Sequence, residues 1–361
     1  MMIVPTGVGA AIGGYAGDAL PVARAIAQVT DRLITHPNVL NGAQLYWPLP
    51  NAYYVEGYGL DQFAAGHWHL QPVHQNTIGL VLDQAMEDDL RWRHLQAADA
   101  ARATLGLDIR GYVTTDQPLG VRLQQAEAAT WGTLDCPDSL LRAVEQLLQA
   151  GCTAIAVVAR FPDDEDSDAL TAYRQGEGVD PLAGAEAVIS HLVVRQFQVP
   201  CAHAPALQPL PLDPTISPRS AAEELGYTFL PCVLAGLSKA PQFMPQVRDT
   251  NPSSLFPAQT FPAQGISAQD VDALVVPASA LGGSAVLSLS GTGTQIIAVQ
   301  DNRTALNVTA ATLGLRVVRV TSYLEAVGAI AAQRAGIALS SLSPHIAQLQ
   351  PLAGTQLNGT P

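Results

Sequence analysis

Cys152-Thr-Ala-Ile-Ala-Val-Val-Ala159 is the stretch of sequence that does most to decide the fold. It is apolar nearly throughout, as strands of a parallel sheet that is covered on both faces tend to be. On either side of it, short runs rich in valine and isoleucine alternate with longer stretches rich in alanine, leucine and glutamine. This alternation predicts an α/β fold of mostly parallel sheets with helices on both faces.

The same two patterns predict most of the elements outward from that strand. Apolar runs predict further strands at residues 2–6, 32–35, 77–82, 109–114, 199–203, 271–277, 294–299 and 316–321. Helical stretches are predicted at residues 18–29, 87–105, 137–149, 182–197 and 323–335. We expect Asp18 to cap the first of these helices and Gly106 to end the second.

Two segments do not fit the alternation. Residues 41–72 are rich in tyrosine, tryptophan, glycine and proline, and they predict an irregular excursion or a hairpin. Residues 204–264 are rich in proline and predict one helix, from 218 or 219 to 226. The length of the chain predicts two α/β subdomains, residues 1–150 and 151–342, followed by a loosely structured tail at 343–361.

Composition limits the class of protein. The 361 residues are 48% hydrophobic and 14% charged, which excludes a disordered chain and a coiled coil. A net charge of −13 argues against a nucleic-acid partner but allows a small anion in a local pocket. We see neither a secretory signal nor the roughly 18 apolar residues of a membrane span, so we expect no membrane partner. Four cysteines without paired spacing indicate reduced thiols in a bacterial or organellar interior.

Polar side chains follow nearly every predicted strand. In open α/β sheets, ligands bind beyond the carboxyl ends of the strands, so these positions predict a shared cleft. Strand ends lie near the surface in any case, which is the simpler explanation. The acid–base candidates at these ends are His36, Asp83, Asp116 and His203. The ligand-binding candidates there are Arg160, Gly282, Gly283, Asp301 and Asn302.

The first predicted strand runs into a glycine-rich loop, Thr6-Gly-Val-Gly-Ala-Ala-Ile-Gly-Gly-Tyr-Ala-Gly17. Glycine lets a backbone approach a ligand closely, and the N–H groups of such a loop favour phosphate or carboxylate. The spacing is a poor match to a dinucleotide-binding fingerprint. Tight packing against a neighbouring strand or subunit is the other explanation for the glycines. The ligand-binding candidates in this loop are Thr6, Gly7, Gly9, Gly13 and Gly14.

The second predicted strand runs into Thr35-His-Pro-Asn-Val-Leu-Asn41. His36 precedes a proline in a rigid turn and is a candidate acid or base, since the ordinary pKa of histidine lies near neutrality. Asn38 and Asn41 offer amide groups that would orient His36 or bind a ligand. The alternative is that His36 only stabilises the turn.

Three histidines come nearest to a metal-binding pattern. His67 and His69 share one face of a strand, and His74 follows, but the spacing fixes no third or fourth ligand. The acidic run at residues 163–168 lacks the glycine and the final glutamate of a calcium-binding loop. We therefore predict no metal site, and the sequence identifies no cofactor.

Several stretches carry a resemblance to a family. Val-Pro-Thr-Gly-Val-Gly-Ala-Ala-Ile-Gly-Gly-Tyr-Ala-Gly-Asp-Ala stands at residues 4–19, and Leu-Ile-Thr-His-Pro-Asn-Val-Leu-Asn-Gly-Ala at 33–43; four more stretches lie at 156–163, 178–187, 200–206 and 225–231. Together they resemble an uncharacterised group, domain of unknown function 3326, over residues 4–336. The resemblance implies a cyanobacterial or plastid setting, hence the bacterial cytosol or the plastid stroma. It implies no reaction and no catalytic residue.

These patterns predict a soluble protein that binds a small anionic metabolite in a strand-end cleft. We favour an enzyme, with hydrolase, isomerase and transferase chemistry all open. The glycine-rich loop would hold the anion, and His36 would transfer protons. The alternative is a non-catalytic, homo-oligomeric scaffold or binding protein, whose low charge fraction and proline-rich segments serve subunit packing. We expect a homo-oligomer in either case.

Overall fold

The computed structural model describes residues 2–4, 9–41, 43–126, 129–163, 167–224, 230–245 and 265–349. In chain order the strands are β1 Met2–Val4, β2 Leu33–Thr35, β3 Ala52–Tyr54, β4 Trp68–Gln71, β5 Ile78–Leu82, β6 Ile109–Thr114, β7 Val121–Ala126, β8 Ala129–Leu134, β9 Ala154–Arg160, β10 Cys201–Ala206, β11 Gln242–Pro245, β12 Ala273–Pro277, β13 Gln295–Val299 and β14 Val318–Val320. The helices are α1 Leu20–Gln28, α2 Pro37–Leu40, α3 Ala43–Tyr46, α4 Gly57–Ala64, α5 Asp88–Leu105, α6 Pro137–Gln149, α7 Asp168–Arg174, α8 Ala183–Phe197, α9 Pro218–Ala222, α10 Leu230–Ser238, α11 Ser284–Ser290, α12 Ala310–Leu313 and α13 Tyr323–Arg334.

The first sheet has six parallel strands in the order β14-β13-β12-β1-β2-β3. Its strands come from both ends of the described chain. The strand order reverses between β1 and β12, which is the arrangement of doubly wound folds. Because all six strands are parallel, the loops that follow β1, β2, β12 and β13 meet at one edge of the sheet.

The second sheet has four parallel strands in the order β10-β9-β5-β6. It is formed by the segment of chain inserted between β3 and β12. Two antiparallel pairs, β4 with β11 and β7 with β8, complete the strands of the described residues. The strand β9 is buried along nearly its whole length because helices cover both faces of this sheet.

The two sheets share a continuous interior. Helix α10 is buried at every residue except Pro231, and it packs against α2 on the side of the six-stranded sheet and against α5, β9 and β10 on the other. Helix α4 joins them a second time, since it contacts α8 and α11. One cluster of buried side chains contains both Leu33 and Ala156, and another contains both Ile34 and Val157, so residues of each sheet pack in both.

The α/β class predicted from the sequence is confirmed. The predicted helix at 87–105 is α5, and Gly106 ends it in the left-handed conformation with φ 66°. The stretch that begins at Cys152 contains β9, as predicted. The expected division at residue 150 does not coincide with a sheet boundary, because β5 and β6 come from one side of it and β9 and β10 from the other.

Some local predictions are wrong. Asp18 does not cap α1; the capping residue is Ala19, and Asp18 instead accepts a hydrogen bond from the backbone of Gly13 at 2.7 Å. Residues 41–72 do not form an irregular excursion alone, since they supply β3, α4 and β4. Within residues 204–264, α10 and β11 were not predicted.

The far end of the described chain is exposed. Residues 343–349 carry no helix or strand and are exposed throughout, as expected for a loosely structured tail, and 350–361 lie outside the described residues. Among the described helices, none combines the length and the apolar character needed to cross a bilayer.

Candidate functional site

A cleft of about 700 Å³ opens at the carboxyl edge of the six-stranded sheet. We call it the strand-end cleft. One wall is the loop after β1, a second is the turn after β13, and the third comes from the segments around α7 and α9. The side chains and backbone that line it are those of Gly9, Ala10, Ala11, Gly14, Tyr15, Tyr173, Gln175, Gly176, Gly178, Val179, Ser217, Pro218, Arg219, Arg303, Thr304 and Ala305.

Three turns expected to surround this region are joined by hydrogen bonds. Asn302 accepts from the N–H of Ile12 at 2.8 Å and donates to its carbonyl at 2.8 Å. The N–H of Gly17 donates to the carbonyl of Asn38 at 2.6 Å. The side chain of Asn38 donates to the carbonyl of Gly13 at 3.4 Å. The turns after β1, β2 and β13 therefore form one bonded unit.

Six of the ten backbone N–H groups at residues 9–18, the described part of the glycine-rich loop and the residue after it, are already engaged and are not available to an anion. Their acceptors are protein oxygens, including the side chains of Asp18 and Asn302. A carboxylate of the chain itself thus takes the place where a bound anion was expected. The engaged N–H groups are those of Ala11, Ile12, Gly13, Ala16, Gly17 and Asp18.

Gly14 is required by the loop's own turn. A Cβ atom on Gly14 would lie 2.4 Å from the carbonyl oxygen of Ala10, which is far closer than such atoms approach. At Gly14, the close approach that we predicted for a ligand is therefore made by the carbonyl group of Ala10. Gly9 does face the strand-end cleft, while Thr6 and Gly7 lie outside the described residues.

Two arginines bring positive charge to the strand-end cleft. Arg219 forms an ion pair with the buried carboxylate of Asp18 at 3.1 Å. Arg303 is exposed, and within the part of the chain that the structure describes its guanidinium makes no ion pair. Arg303 is thus the cation of this cleft whose charge is not already compensated.

Buried carboxyl groups lie behind the tyrosines of the cleft. Tyr15 and Tyr173 stack with their ring centroids 4.4 Å apart, and Tyr173 donates its hydroxyl to Glu223 at 2.7 Å. Burial raises the pKa of Glu223 to about 7 and that of Asp18 to about 6. Burial and the charge of Glu223 also raise the pKa of Asp180 well above its ordinary value. Such groups hold protons close to neutral pH, which is typical of acid–base sites.

His36 follows β2, as predicted, but it is not poised to titrate near neutrality. Burial lowers its pKa to about 4, because the charged imidazolium is poorly solvated there. Its Nδ1 accepts the backbone N–H of Asn38 at 3.2 Å, so the neutral ring carries its proton on Nε2. At neutral pH His36 is therefore a hydrogen-bond donor and not a titrating acid.

A histidine–carboxylate pair that the sequence analysis missed lies beside His36. Nδ1 of His191, on α8, contacts Oε1 of Glu56, whose side chain is only 2% exposed. The other carboxylate oxygen, Oε2, caps α4 by accepting the N–H of Tyr58 at 2.8 Å. Glutamate is an uncommon helix cap, and 135 residues separate the two partners. Short-range patterns give no signal for such a pair.

His203 lies within β10 and close to this group. Its Nε2 is 3.6 Å from a carboxylate oxygen of Glu186, and its buried Nδ1 has no hydrogen-bond partner within the described residues. Its charge lowers the pKa of His36, as does that of His191. Two of the four acid–base candidates, His36 and His203, thus lie in one region.

Three predicted site residues lie instead on the four-stranded sheet. Asp83 is fully buried and accepts backbone N–H groups, including those of Leu119 and Arg160 at 3.0 and 3.1 Å. Arg160 is bound by Glu87 at 2.8 Å and by Asp163. These side chains hold loops together and face no ligand-sized opening at the cleft.

Asp116 also lies on that sheet, away from the cleft. Its hydrogen bonds with Arg142 and Ser139 lower its pKa to about 2, so it stays ionised and paired. A carboxylate with so low a pKa is a weak base.

The remaining candidates do not line the cleft. Asn41 accepts from the hydroxyl of Tyr54 at 3.2 Å, and Asn302 is buried with its amide fully engaged. Asp301, Gly282 and Gly283 are exposed on neighbouring turns. No three His, Cys, Asp or Glu side chains of the described residues are arranged to hold a metal ion.

Comparison with known proteins gives a family but no activity. The family model described as "Protein of unknown function (DUF3326)" matches residues 1–343. A protein of Synechococcus sp. named "Uncharacterized lipoprotein" is 61% identical over 345 residues, which is 95% of this chain and 93% of that protein. No solved structure matches the chain. The chain therefore belongs to the DUF3326 family of proteins of unknown function.

Proposed function

We propose that the strand-end cleft binds a small metabolite carrying phosphate or carboxylate. The observation that carries this proposal is Arg303, an exposed guanidinium at the cleft without an acidic partner among the described residues. Arg219 adds a second cation, and Ser217 and Thr304 add hydroxyl groups. Guanidinium groups bind such anions through paired, charge-assisted hydrogen bonds. The reversal of strand order beside β1 supports the location.

A dinucleotide is a poorer candidate ligand despite the strand order. Helix α1 begins only at Leu20, well beyond β1, so its N-terminus does not follow the strand directly. β2 leads into His36, where dinucleotide-binding folds place a carboxylate for the ribose. The donors of the intervening loop are largely used by the protein itself. These features favour a single small anion.

The buried acids favour an enzyme over a passive binder. Glu223 and Asp18 adjoin the residues that line the cleft, and burial raises the pKa values of both. A carboxyl group with a pKa near 7 costs stability when ionised, which is expected where proton transfer is needed.

Isothermal titration calorimetry with inorganic phosphate and with succinate tests the binding. Arg303→Gln is expected to lose at least tenfold in affinity, as about 1.5 kcal/mol or more per charge-assisted hydrogen bond implies. Arg316→Gln removes another exposed arginine and serves as the matched control. Wild-type affinity in Arg303→Gln, or no binding by the wild type, would contradict the proposal.

A second proposal, self-association, is favoured by the open edge of the four-stranded sheet. β6 pairs only with β5 within the described residues, and Tyr112 on it is 53% exposed beside Trp92, which is 62% exposed. Exposed edge strands tend to pair with other strands. Light scattering after size exclusion should give a dimer that Trp92→Glu disrupts, while Leu324→Glu, at a still more exposed apolar site on α13, does not.

We propose that the protein is located in the bacterial cytosol or the plastid stroma. The Synechococcus relative is named a lipoprotein, which describes that protein. Fractionation of cyanobacterial cells that express this chain decides the question, since our proposal requires it in the soluble fraction and not with the membranes.

A further inference from the structure

Gly57 separates two imidazole rings. A methyl carbon built on Gly57 would lie 3.5 Å from Nε2 of His36 and 3.6 Å from Nε2 of His191. Both nitrogens therefore face the same small space, which only the absence of a side chain leaves open. A site about 3 Å from two acid–base groups is where a reacting atom can be held.

The two rings are prepared for different roles. His191 has Nδ1 against the buried carboxylate of Glu56, so its Nε2 is left to accept a proton. His36 accepts the backbone N–H of Asn38 at Nδ1, so its Nε2 carries a proton that it can donate as a hydrogen bond. His191 is 42% exposed, which leaves its ring accessible from solvent.

We propose that His191 and His36 form a proton-transfer site at Gly57 that enolises a small anion with a carbonyl group beside an acidic C–H bond. His191 is the base, and His36 is the neutral donor to the carbonyl oxygen. Glu56 is a positioning residue that orients His191. The substrate class is an α-keto acid or a phosphate ester of a hydroxyketone.

The step needs no other reactant. Nε2 of His191 removes the proton from the carbon next to the carbonyl. The electron pair of that C–H bond forms a carbon–carbon double bond, and the π electron pair of the C=O bond moves to the oxygen. The enolate oxygen is held by the N–H of His36, as a neutral imidazole does in other enolising sites. The proton returns from His191 to the same carbon or to the adjacent one.

This proposal rests on the proposed function, because it requires the anionic group of the substrate to bind in the strand-end cleft. Asn38 joins the two regions, since it follows His36 and bonds to Gly13 in the loop that lines the strand-end cleft. Acid–base groups of this kind contribute about 10²–10⁴-fold in rate.

Proton NMR in D₂O tests the site directly. Pyruvate and dihydroxyacetone phosphate are the two probes, and loss of the C–H signal next to the carbonyl reports exchange. Wild-type protein is expected to accelerate exchange for one of them, which also distinguishes a carboxylate from a phosphate substrate. His191→Gln is expected to lose at least 100-fold of the catalysed exchange rate.

Gly57→Ala is the sharpest variant. Gly57 is the first residue of α4, where alanine is at least as favourable as glycine for the helix. The added methyl group would occupy the space between the two rings, and its nearest contact, Cε1 of His191 at 3.0 Å, belongs to a side chain that can shift. Exchange should fall at least 100-fold while the melting temperature is retained. Gly293→Ala, at an exposed and open position outside the site, is the control and should exchange like the wild type.

The role of Glu56 has its own readout. Glu56→Gln should lower the pH midpoint of exchange together with the pKa of His191 measured by NMR. A Glu56 that only caps α4 would lower stability and leave that midpoint unchanged.

Two results would overturn the site. One is wild-type exchange in both Gly57→Ala and His191→Gln. The other is the absence of catalysed exchange with either probe in a protein that binds phosphate, which leaves the proposed function intact. If Gly57→Ala still binds phosphate but no longer catalyses exchange, both proposals are supported. If only Arg303→Gln loses phosphate binding, the residue that binds the anion is distinct from the residues that transfer the proton.

Discussion

The side-chain amide of Asn302 forms hydrogen bonds with both backbone polar groups of Ile12. It accepts from the N–H and donates to the carbonyl, at 2.8 Å each. The same amide donates to the hydroxyl of Tyr323 at 2.7 Å, and the side chain is 2% exposed. Two chain segments 290 residues apart are thus joined by one side chain. This contact joins the turn after β13 to the loop that forms one wall of the strand-end cleft.

Asn302→Ala should therefore destabilise the protein by about 2 kcal/mol, because polar backbone groups of the loop lose their partner. Urea denaturation measures the change. Asp301→Asn, at the exposed neighbouring residue, should stay within about 0.5 kcal/mol of the wild type. Equal stability of the two variants would show that the loop holds its shape without Asn302.

Gly14→Ala tests whether the glycine-rich loop is shaped by its own backbone. The new methyl group would meet the carbonyl oxygen of Ala10 at 2.4 Å, so the turn must open, at a cost of about 1–3 kcal/mol. Gly293→Ala adds the same group at an exposed position where nothing lies within 4 Å and should be neutral. Thermal unfolding of both variants is the measurement, and an unchanged melting temperature for Gly14→Ala would contradict the interpretation.

The sequence predicted elements whose signal is local. β9 reads as a strand because it is apolar without interruption, and α5 has both a helical stretch and a glycine that ends it. β3 was missed because three residues among prolines and asparagines give no alternating pattern. α10 was missed because a helix buried on every side shows no polar face.

The candidate site was predictable only in part. His36 and Asn38 stand directly after a predicted strand, so the rule for strand ends finds them. Glu56 and His191 meet through the packing of α4 against α8, which no pattern along the chain encodes. Asp18 was expected to cap α1, but its carboxylate turns back and accepts from Gly13 in the loop instead.

Glu223→Gln should reduce the amount by which the free energy of unfolding falls as the pH rises. Burial raises the pKa of Glu223 to about 7, so between the ordinary pKa of glutamate and pH 7 the folded protein binds more protons than the unfolded chain. Stability from this group is present below that range and is lost as pH rises through it. Glutamine keeps an oxygen to accept from Tyr173 and carries no charge.

Urea denaturation at pH 5, 6, 7 and 8 measures the effect. The wild type should lose on the order of 2 kcal/mol relative to Glu223→Gln across that range. Glu224→Gln is the control, since Glu224 is already paired with Arg174 at 2.7 Å and should not change the slope. Parallel profiles for the wild type and Glu223→Gln would contradict the raised pKa.

His36 and His191 should titrate on opposite sides of the ordinary histidine pKa. Burial lowers the pKa of His36 to about 4. Burial also opposes the charging of His191, but its contact with Glu56 outweighs that effect and raises the pKa. The Cε1–H signals, assigned with His36→Gln and His191→Gln, report the two rings separately.

We expect the His36 signal to stay constant from pH 5.5 to 8 and to move only in more acidic solution, while the midpoint of the His191 signal lies above that of an ordinary histidine. Because the unfolded chain protonates histidine at about 6.5, the contribution of His36 to stability is present above that pH and is lost as the pH falls toward 4. A His36 midpoint near 6.5 would mean that its ring is solvated and charged at mildly acidic pH. It would then be no fixed N–H donor, and the division of roles between the two histidines at Gly57 would fail with it.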